Sequence, residues 1–163
     1  DTQRGIKELV YDEIPITNLT VSAEPQAENL GVNMLDNDFS TRWTTLNKGE
    51  NAVFDIGNVM SVDAVAAGFW QSPVRNYYFD LYYSEDGSTW TKIDSYSSSA
   101  GEEEYQVFSF DRVNARYIKL VGNGCSANVN TNILEFRVLK RKAEFEHAVP
   151  DKKNSVLSVT ITE

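Results

Sequence analysis

Cysteine and histidine are almost missing from this chain of 163 residues: Cys125 is its single cysteine and His147 its single histidine. One cysteine excludes an internal disulfide and a cysteine-built zinc site. Any Ser-His-Asp or Cys-His arrangement would have to recruit His147, which sits in the charged stretch "KRKAEFEHAVPDKK" and suits a solvated linker. No G-x-S-x-G, Walker loop or H-E-x-x-H is present. No apolar run is long enough to span a membrane. Basic residues are outnumbered, with 15 Lys and Arg against 24 Asp and Glu and a net charge of −9. Nucleic acid and anionic membranes both ask for a basic face, so neither is expected as a partner. A signal peptide is also missing, and Asp1 rather than Met at the start suggests an excised or processed piece.

Hydrophobic residues make up 41% and aromatics 12%, enough for one domain with a core that needs no staples. Helical periodicity is nearly absent between Ile16 and Leu139. Short apolar or alternating runs recur instead: "NAVFDIG", "SVDAVAAGFW", "YYFDLYYS", "WTKID", "YQVFSF", "RYIKLVG" and "NILEFRVL". Asp86-Gly87 is a strong hairpin signal between the third and fourth. Many short strands with regular turns predict an all-β sandwich or jelly roll. Residues 1–15 form a lead segment with a possible strand in "IKELVYD". Residues 140–163 read as a linker or the start of a following domain, with an extra strand as the alternative.

Successive strands alternate direction, so alternate loops share an end. One end collects the short "GNVMS", "SEDGST" and "DRVNA". The other collects "TRWTTLNKGEN", "QSPVRN", "SYSSSAGEEEY" and "GNGCSANVNTN", longer and richer in aromatic, amide and Arg side chains. Function tends to sit on long loops carried by a rigid scaffold. Glu102, Glu103 and Glu104 can offer paired carboxylates for glycoside hydrolysis, but three consecutive acids suit a solvated loop better. "MLDNDFSTRW" packs Asp36, Asn37, Asp38, Ser40 and Thr41 together. Such oxygen donors suit a hard cation such as calcium, or an Asx-type turn bonding its own backbone. Trp90 is expected in the core and Trp43 in packing, while Trp70 suits a sugar platform or the core equally. Sugars offer apolar C–H faces rimmed by hydroxyls. Trp70, Gln71, Arg75, Asn76, Tyr105, Asn123 and Asn128 supply the matching mixture of aromatic, amide and cation. Arg75 can grip a carboxylate with a bidentate fork, while Arg42 and Arg116 suit structural roles.

The string "NMLDNDFSTRW", followed by "NAVFDIG", "FDLYYSEDGSTW", "ARYIKLVG" and "NILEFRV", resembles the discoidin family, or factor V/VIII type C domains, over residues 16–139. Within it the chain looks most like a family 32 carbohydrate-binding module. "GFWQSPVRNYYFDLYYSEDGSTW", "SSSAGEEEYQVFSF" and "VGNGCSANVNTNILEF" resemble modules attached to bacterial polysaccharide lyases, alginate lyases above all. The resemblance implies an eight-stranded antiparallel jelly roll with one structural calcium, held by Asp36, Asp38, Thr41, nearby carbonyls and Glu135. Asn37 stands where the family usually has Gly, a left-handed position that Asn tolerates. Asn130 stands where lyase-linked relatives tend to have Trp. The resemblance further implies a secreted or cell-surface bacterial, non-catalytic module. It would anchor the catalytic domain of its parent chain to a polysaccharide, with an acidic, alginate-like polymer favoured over neutral galactosides. A discoidin-type adhesion domain for a protein or phospholipid, and a plain structural spacer, are the alternatives.

Overall fold

A computed structural model of the chain describes residues 10–101 and 104–145. Its strands are β1 (Tyr11–Ile14), β2 (Asn18–Val21), β3 (Trp43–Thr45), β4 (Asn51–Phe69), β5 (Tyr77–Ser84), β6 (Thr91–Ser97), β7 (Gln106–Cys125) and β8 (Thr131–Arg141). All pair antiparallel, in the order β1-β8-β4-β7-β5-β6, with β2 added to β4 and β3 to β8. The architecture is the expected all-β jelly-roll sandwich.

One departure from the sequence reading explains how the sandwich is made. "NAVFDIG" and "SVDAVAAGFW" are not two strands but the halves of β4, and "YQVFSF" and "RYIKLVG" are the halves of β7. The two long strands pair from Asn51↔Val121 to Ala67↔Gln106, with register shifts between Asp55 and Met60 and between Val62 and Ala64. Gly57 supplies the bend, with φ of 89° and its N–H on the Asp55 carboxylate at 2.7 Å. Such shifts let a strand turn a corner and serve two layers while keeping its ladder. "GNVMS" and "DRVNA" are therefore bends inside strands rather than loops.

Burial follows the bend. Before it, Ala52, Phe54 and Ile56 point inward and alternate with half-exposed Asn51, Val53 and Asp55, the period-2 pattern of a sheet with one wet face. After it, every residue from Val62 to Phe69 is buried. Val62, Val65, Ala67 and Phe69 face the main core, while Ala64 and Ala66 pack on the other side with Val10, Tyr11, Val107 and Leu139. Residues Tyr11–Ile14 of the lead segment thus pair with and cover the far side of β8, so the sheet reaches beyond 16–139 at both ends. In the main core Phe54 stacks on Phe136 at 3.9 Å, and Phe79 meets Phe108 edge to face at 4.9 Å. Trp43 is fully buried, its Nε1 donating to the Ala23 carbonyl at 2.9 Å. Trp90 departs from expectation. It lies half-exposed on the outer face, edge-on to Tyr117. It precedes edge strand β6, whose residues are mostly exposed, and among the described residues no second layer covers it.

Asp63 marks the corner. It is 1% exposed and takes Arg112 Nε at 2.9 Å and Nη2 at 3.1 Å, plus the Arg141 backbone N–H at 2.7 Å. One carboxylate therefore joins β4, β7 and β8. Burial pushes its pKa up, but the Arg112 hydrogen bond, the Arg141 N–H and both guanidinium charges outweigh burial and hold it below its usual value. A carboxyl with a depressed folded pKa contributes stability above its unfolded pKa and loses it as pH falls through the folded one. Asp63→Asn should cost about 3 kcal/mol in urea melts at neutral pH. The gap to wild type should narrow as pH drops below about 4. A gap independent of pH down to full protonation would rule out the ionised clamp.

Candidate functional site

The four long loops do converge at one end. Gly49 N–H bonds the Gly122 carbonyl at 2.8 Å, Ser126 N–H the Asn76 carbonyl at 2.8 Å, and Gly101 N–H the Ser72 carbonyl at 3.1 Å. Asn76 is the fastener: its side-chain oxygen accepts from Ala100 N–H at 2.7 Å while its own N–H donates to Ser126 Oγ at 3.1 Å. Asn128 is also used up in building, its side-chain oxygen capping Asn130 N–H at 2.9 Å. These two amides shape the site rather than present themselves.

Trp70 stands at the centre, half-exposed, with the Arg42 guanidinium 4.0 Å and the Arg75 guanidinium 4.9 Å from its ring centroid. Cations over an indole are attracted by its quadrupole, more so where water is thinned. A relay beneath fixes the cluster. Arg42 Nε donates to Thr44 Oγ1 at 3.2 Å, and Thr44 donates to Asn132 Oδ1 at 2.7 Å. Asn132 Nδ2 donates to the Tyr77 hydroxyl at 3.4 Å, which donates to the Trp70 carbonyl at 2.9 Å. Burial raises the Tyr77 pKa, so the hydroxyl keeps the proton this relay needs.

Arg42 was not singled out by the sequence reading, which gave it a structural role. Alternation holds the signal: Trp43 and Phe69 point into the core, so their neighbours Arg42 and Trp70 turn outward together. Arg116 is structural as expected, paired with Asp55 at 2.9 and 3.1 Å. Two other candidates lie elsewhere. Tyr105 packs between Phe39, 5.1 Å away, and the Arg137 guanidinium, 5.7 Å away, near the acidic loop. Asn123 faces the outside of the β5–β7 layer beside Tyr78. Glu102, Glu103 and His147 lie outside the described residues.

The acidic loop forms the Asx-type turn its sequence allowed. Asp38 Oδ1 takes Ser40 N–H at 2.8 Å and Ser40 Oγ at 2.6 Å, an Asx turn. The Asp38 carboxylate is thus turned to its own backbone, while its carbonyl takes the Thr41 hydroxyl at 3.1 Å. Asp36 bonds Thr41 Oγ1 through one oxygen and Asp38 N–H through the other. Asn37 adopts the left-handed conformation, φ 60°. Its N–H reaches Glu135 Oε1 at 3.0 Å, and its side chain and Glu135 share Arg137. Glu135 is fully buried, and among the described residues its Oε2 meets no donor. Burial and the neighbouring Asp36 carboxyl push its pKa up to about 7 against the pull of Arg137. Among the described residues no three His, Cys, Asp or Glu converge. Two carboxyls, a hydroxyl and carbonyls remain, a donor set of oxygen only.

The F5/8 type C domain model matches residues 18–136. No curated protein sequence matches the chain. Among solved structures, the CBM32 of AlyQ in complex with 4,5-unsaturated mannuronic acid is 29% identical, with a TM-score of 0.74 over 78% of this chain and 97% of that one. Truncated AlyQ with CBM32 and alginate lyase domains gives 29% and 0.78 over 83% of this chain, which spans 35% of that one. A pectin-binding module is 23% identical at 0.74, covering 80% of this chain and 94% of that one. The family 32 module of NanJ from Clostridium perfringens, in complex with galactose, is 14% identical at 0.67, covering 80% and 99%. The last two likenesses show a shared fold.

Gln71 follows Trp70 with φ of 55°, a left-handed backbone unusual for a non-glycine residue. Its carbonyl accepts from Val74 N–H at 3.0 Å and Arg75 N–H at 3.1 Å, which places Arg75. Gln71→Gly should keep or raise the melting temperature, and Gln71→Val should cost about 1–2 kcal/mol in stability. Equal melting of the two variants would show that the loop backbone is not held as described.

Proposed function

This chain belongs to the F5/8 type C domain family, and we propose that it holds a polysaccharide-degrading enzyme on an acidic, alginate-like polymer. It is a binding module of the family 32 type and not itself the catalyst. The observation that carries the acidic reading is the pair of guanidiniums, Arg42 and Arg75, on the Trp70 ring. An indole gives a sugar ring a flat apolar face, and two guanidiniums beside it give a uronate carboxylate fork-shaped donors. A neutral galactoside would leave both cations without use. The 4,5-unsaturated mannuronic acid in complex with the AlyQ module supports the same chemistry. The module raises the effective concentration of its parent enzyme at the polymer, outside a bacterial cell. Val74, 75% exposed, with Val129 and Leu46, also favours a phospholipid surface, since apolar tips beside cations suit a headgroup layer.

Affinity electrophoresis in alginate separates these. Trp70→Ala, Arg42→Ala and Arg75→Ala should each weaken retention about tenfold, as loss of a charge-assisted contact of about 1.5–3 kcal/mol would. The two Arg variants should also flatten the salt dependence. Asn58→Ala and Asn114→Ala, exposed at the far end, should change nothing. Retention untouched by all three loop-end changes, or vesicle binding without alginate binding, would reject the reading.

For the acidic loop we propose calcium, held by Asp36, Thr41, Glu135 and loop carbonyls including that of Asp38. The donor-free Glu135 Oε2 beside a second carboxyl is the feature that fits. Hard oxygen donors suit calcium and disfavour zinc or copper. When bound, the ion lets both carboxyls ionise and ties the first loop to β8. A ligand at a hundredfold excess over its Kd adds about 2.7 kcal/mol. Chelation should therefore lower Tm by roughly 5–10 °C, and calcium but not magnesium should restore it. Identical melts with and without chelator would remove calcium from the account.

A further inference from the structure

We propose that the sugar site does not stop at the loop end but continues as a track down the outer face of β5 and β7, so that the module grips the interior of an acidic chain. The proposal rests on the polyuronate reading above and extends it. Tyr77 and Phe79 point into the core, so Tyr78, Asp80 and Tyr82 share the outer face of β5. Tyr78 is 40% exposed. It lines a depression of about 380 Å³ with Asn123, Ser95 and Ser97, an aromatic ring beside amide and hydroxyl groups. The depression's acid, Asp80, is already engaged by Ser95 Oγ at 2.6 Å and Lys92 at 3.7 Å, so it does not repel an anion with a bare charge.

Further along, the Lys119 ammonium lies 4.2 Å from the Trp90 ring centroid and 5.2 Å from that of Tyr82. Tyr82 and Lys119 are direct cross-strand partners. All three are half-exposed, and no carboxylate pairs with Lys119 among the described residues. A half-exposed ammonium between two aromatic rings, unpaired in a chain of net charge −9, is complementary to an anion from outside. The step from Tyr78 to Tyr82 spans about 13 Å of strand. At its upper end, Ser97 runs into Ser98, whose N–H holds the Tyr77 carbonyl at 2.8 Å beside the loop site. Aromatic, polar and cationic groups thus follow one another along the outer face of β5 and β7. The occupant is a polyuronate chain, whose sugar faces meet Tyr78 and Tyr82 and whose carboxylate meets Lys119.

The probes are sodium alginate, by affinity electrophoresis, and 4,5-unsaturated mannuronic acid, by NMR titration. Lys119→Gln and Tyr78→Ser should each weaken alginate retention about fivefold, leave binding of the monosaccharide unchanged and melt like wild type. Trp70→Ala should weaken both probes. If the two face variants retain alginate as wild type does while Trp70→Ala loses it, the track is overturned and the loop-end reading stands. If Trp70→Ala binds both probes normally while the face variants lose alginate, the loop-end reading fails and the sheet face stands by itself. Equal loss of monosaccharide and polymer in the face variants, or a wild-type module that retains no alginate, overturns the track.

Discussion

The antiparallel pairing of β4 with β7, carried past two register shifts, is the constraint on which the rest depends. Each strand turns a corner and serves both layers, so the layers cannot slide apart without breaking one ladder. Asp63 sits at that corner and bonds Arg112 and Arg141. A buried carboxylate with two guanidiniums is costly to form and costlier to leave half made. It is therefore weak as a source of stability and strong as a fixer of register. With the register set, Phe69 points inward and Trp70 starts the loop outside.

The loop end inherits its precision from that frame. Arg42 and Trp70 belong to segments far apart in sequence, yet both leave buried aromatic neighbours, Trp43 and Phe69. The Thr44–Asn132–Tyr77 relay then ties them through side chains on β3, β8 and β5. A site braced by strands loses less entropy on binding than one made of free loops. The acidic loop is anchored on the same strand, β8, through Glu135 and Arg137.

Much of this was legible in the residues, and the misses have physical causes. Period-2 alternation and turn chemistry marked the strands, and loop length marked the loops that meet at one end. The left-handed Asn37 followed from its side chain and from where the family places Gly. Nothing local told a bend from a loop: "GNVMS" has turn residues, and only the pairing with β7, which stops at Asp55 and resumes at Met60, shows that one strand continues past it. Tyr105 and Asn123 were grouped with Trp70 because their loops share an end. Neighbouring loops do not make neighbouring side chains, and Tyr105 is drawn instead to Phe39 and Arg137. The place of Trp90 just after the hairpin turn reads as core, yet among the described residues nothing beside the exposed edge strand β6 buries it.

The charge of the chain gives these local facts their meaning. At −9 it repels an acidic polymer at a distance, so long-range attraction cannot supply affinity. Salt shortens that repulsion to about 8 Å at physiological strength. Inside that range only particular cations count, and among the described residues four guanidiniums are spent: Arg112 and Arg141 on Asp63, Arg116 on Asp55, Arg137 on Glu135. Arg42, Arg75 and Lys119 lean on aromatic rings instead. A ring holds a cation in place without cancelling its charge, as a carboxylate would. On the function proposed above, an acidic protein would meet an acidic polymer at a few chosen points, and everywhere else its surface would keep the chain from sticking.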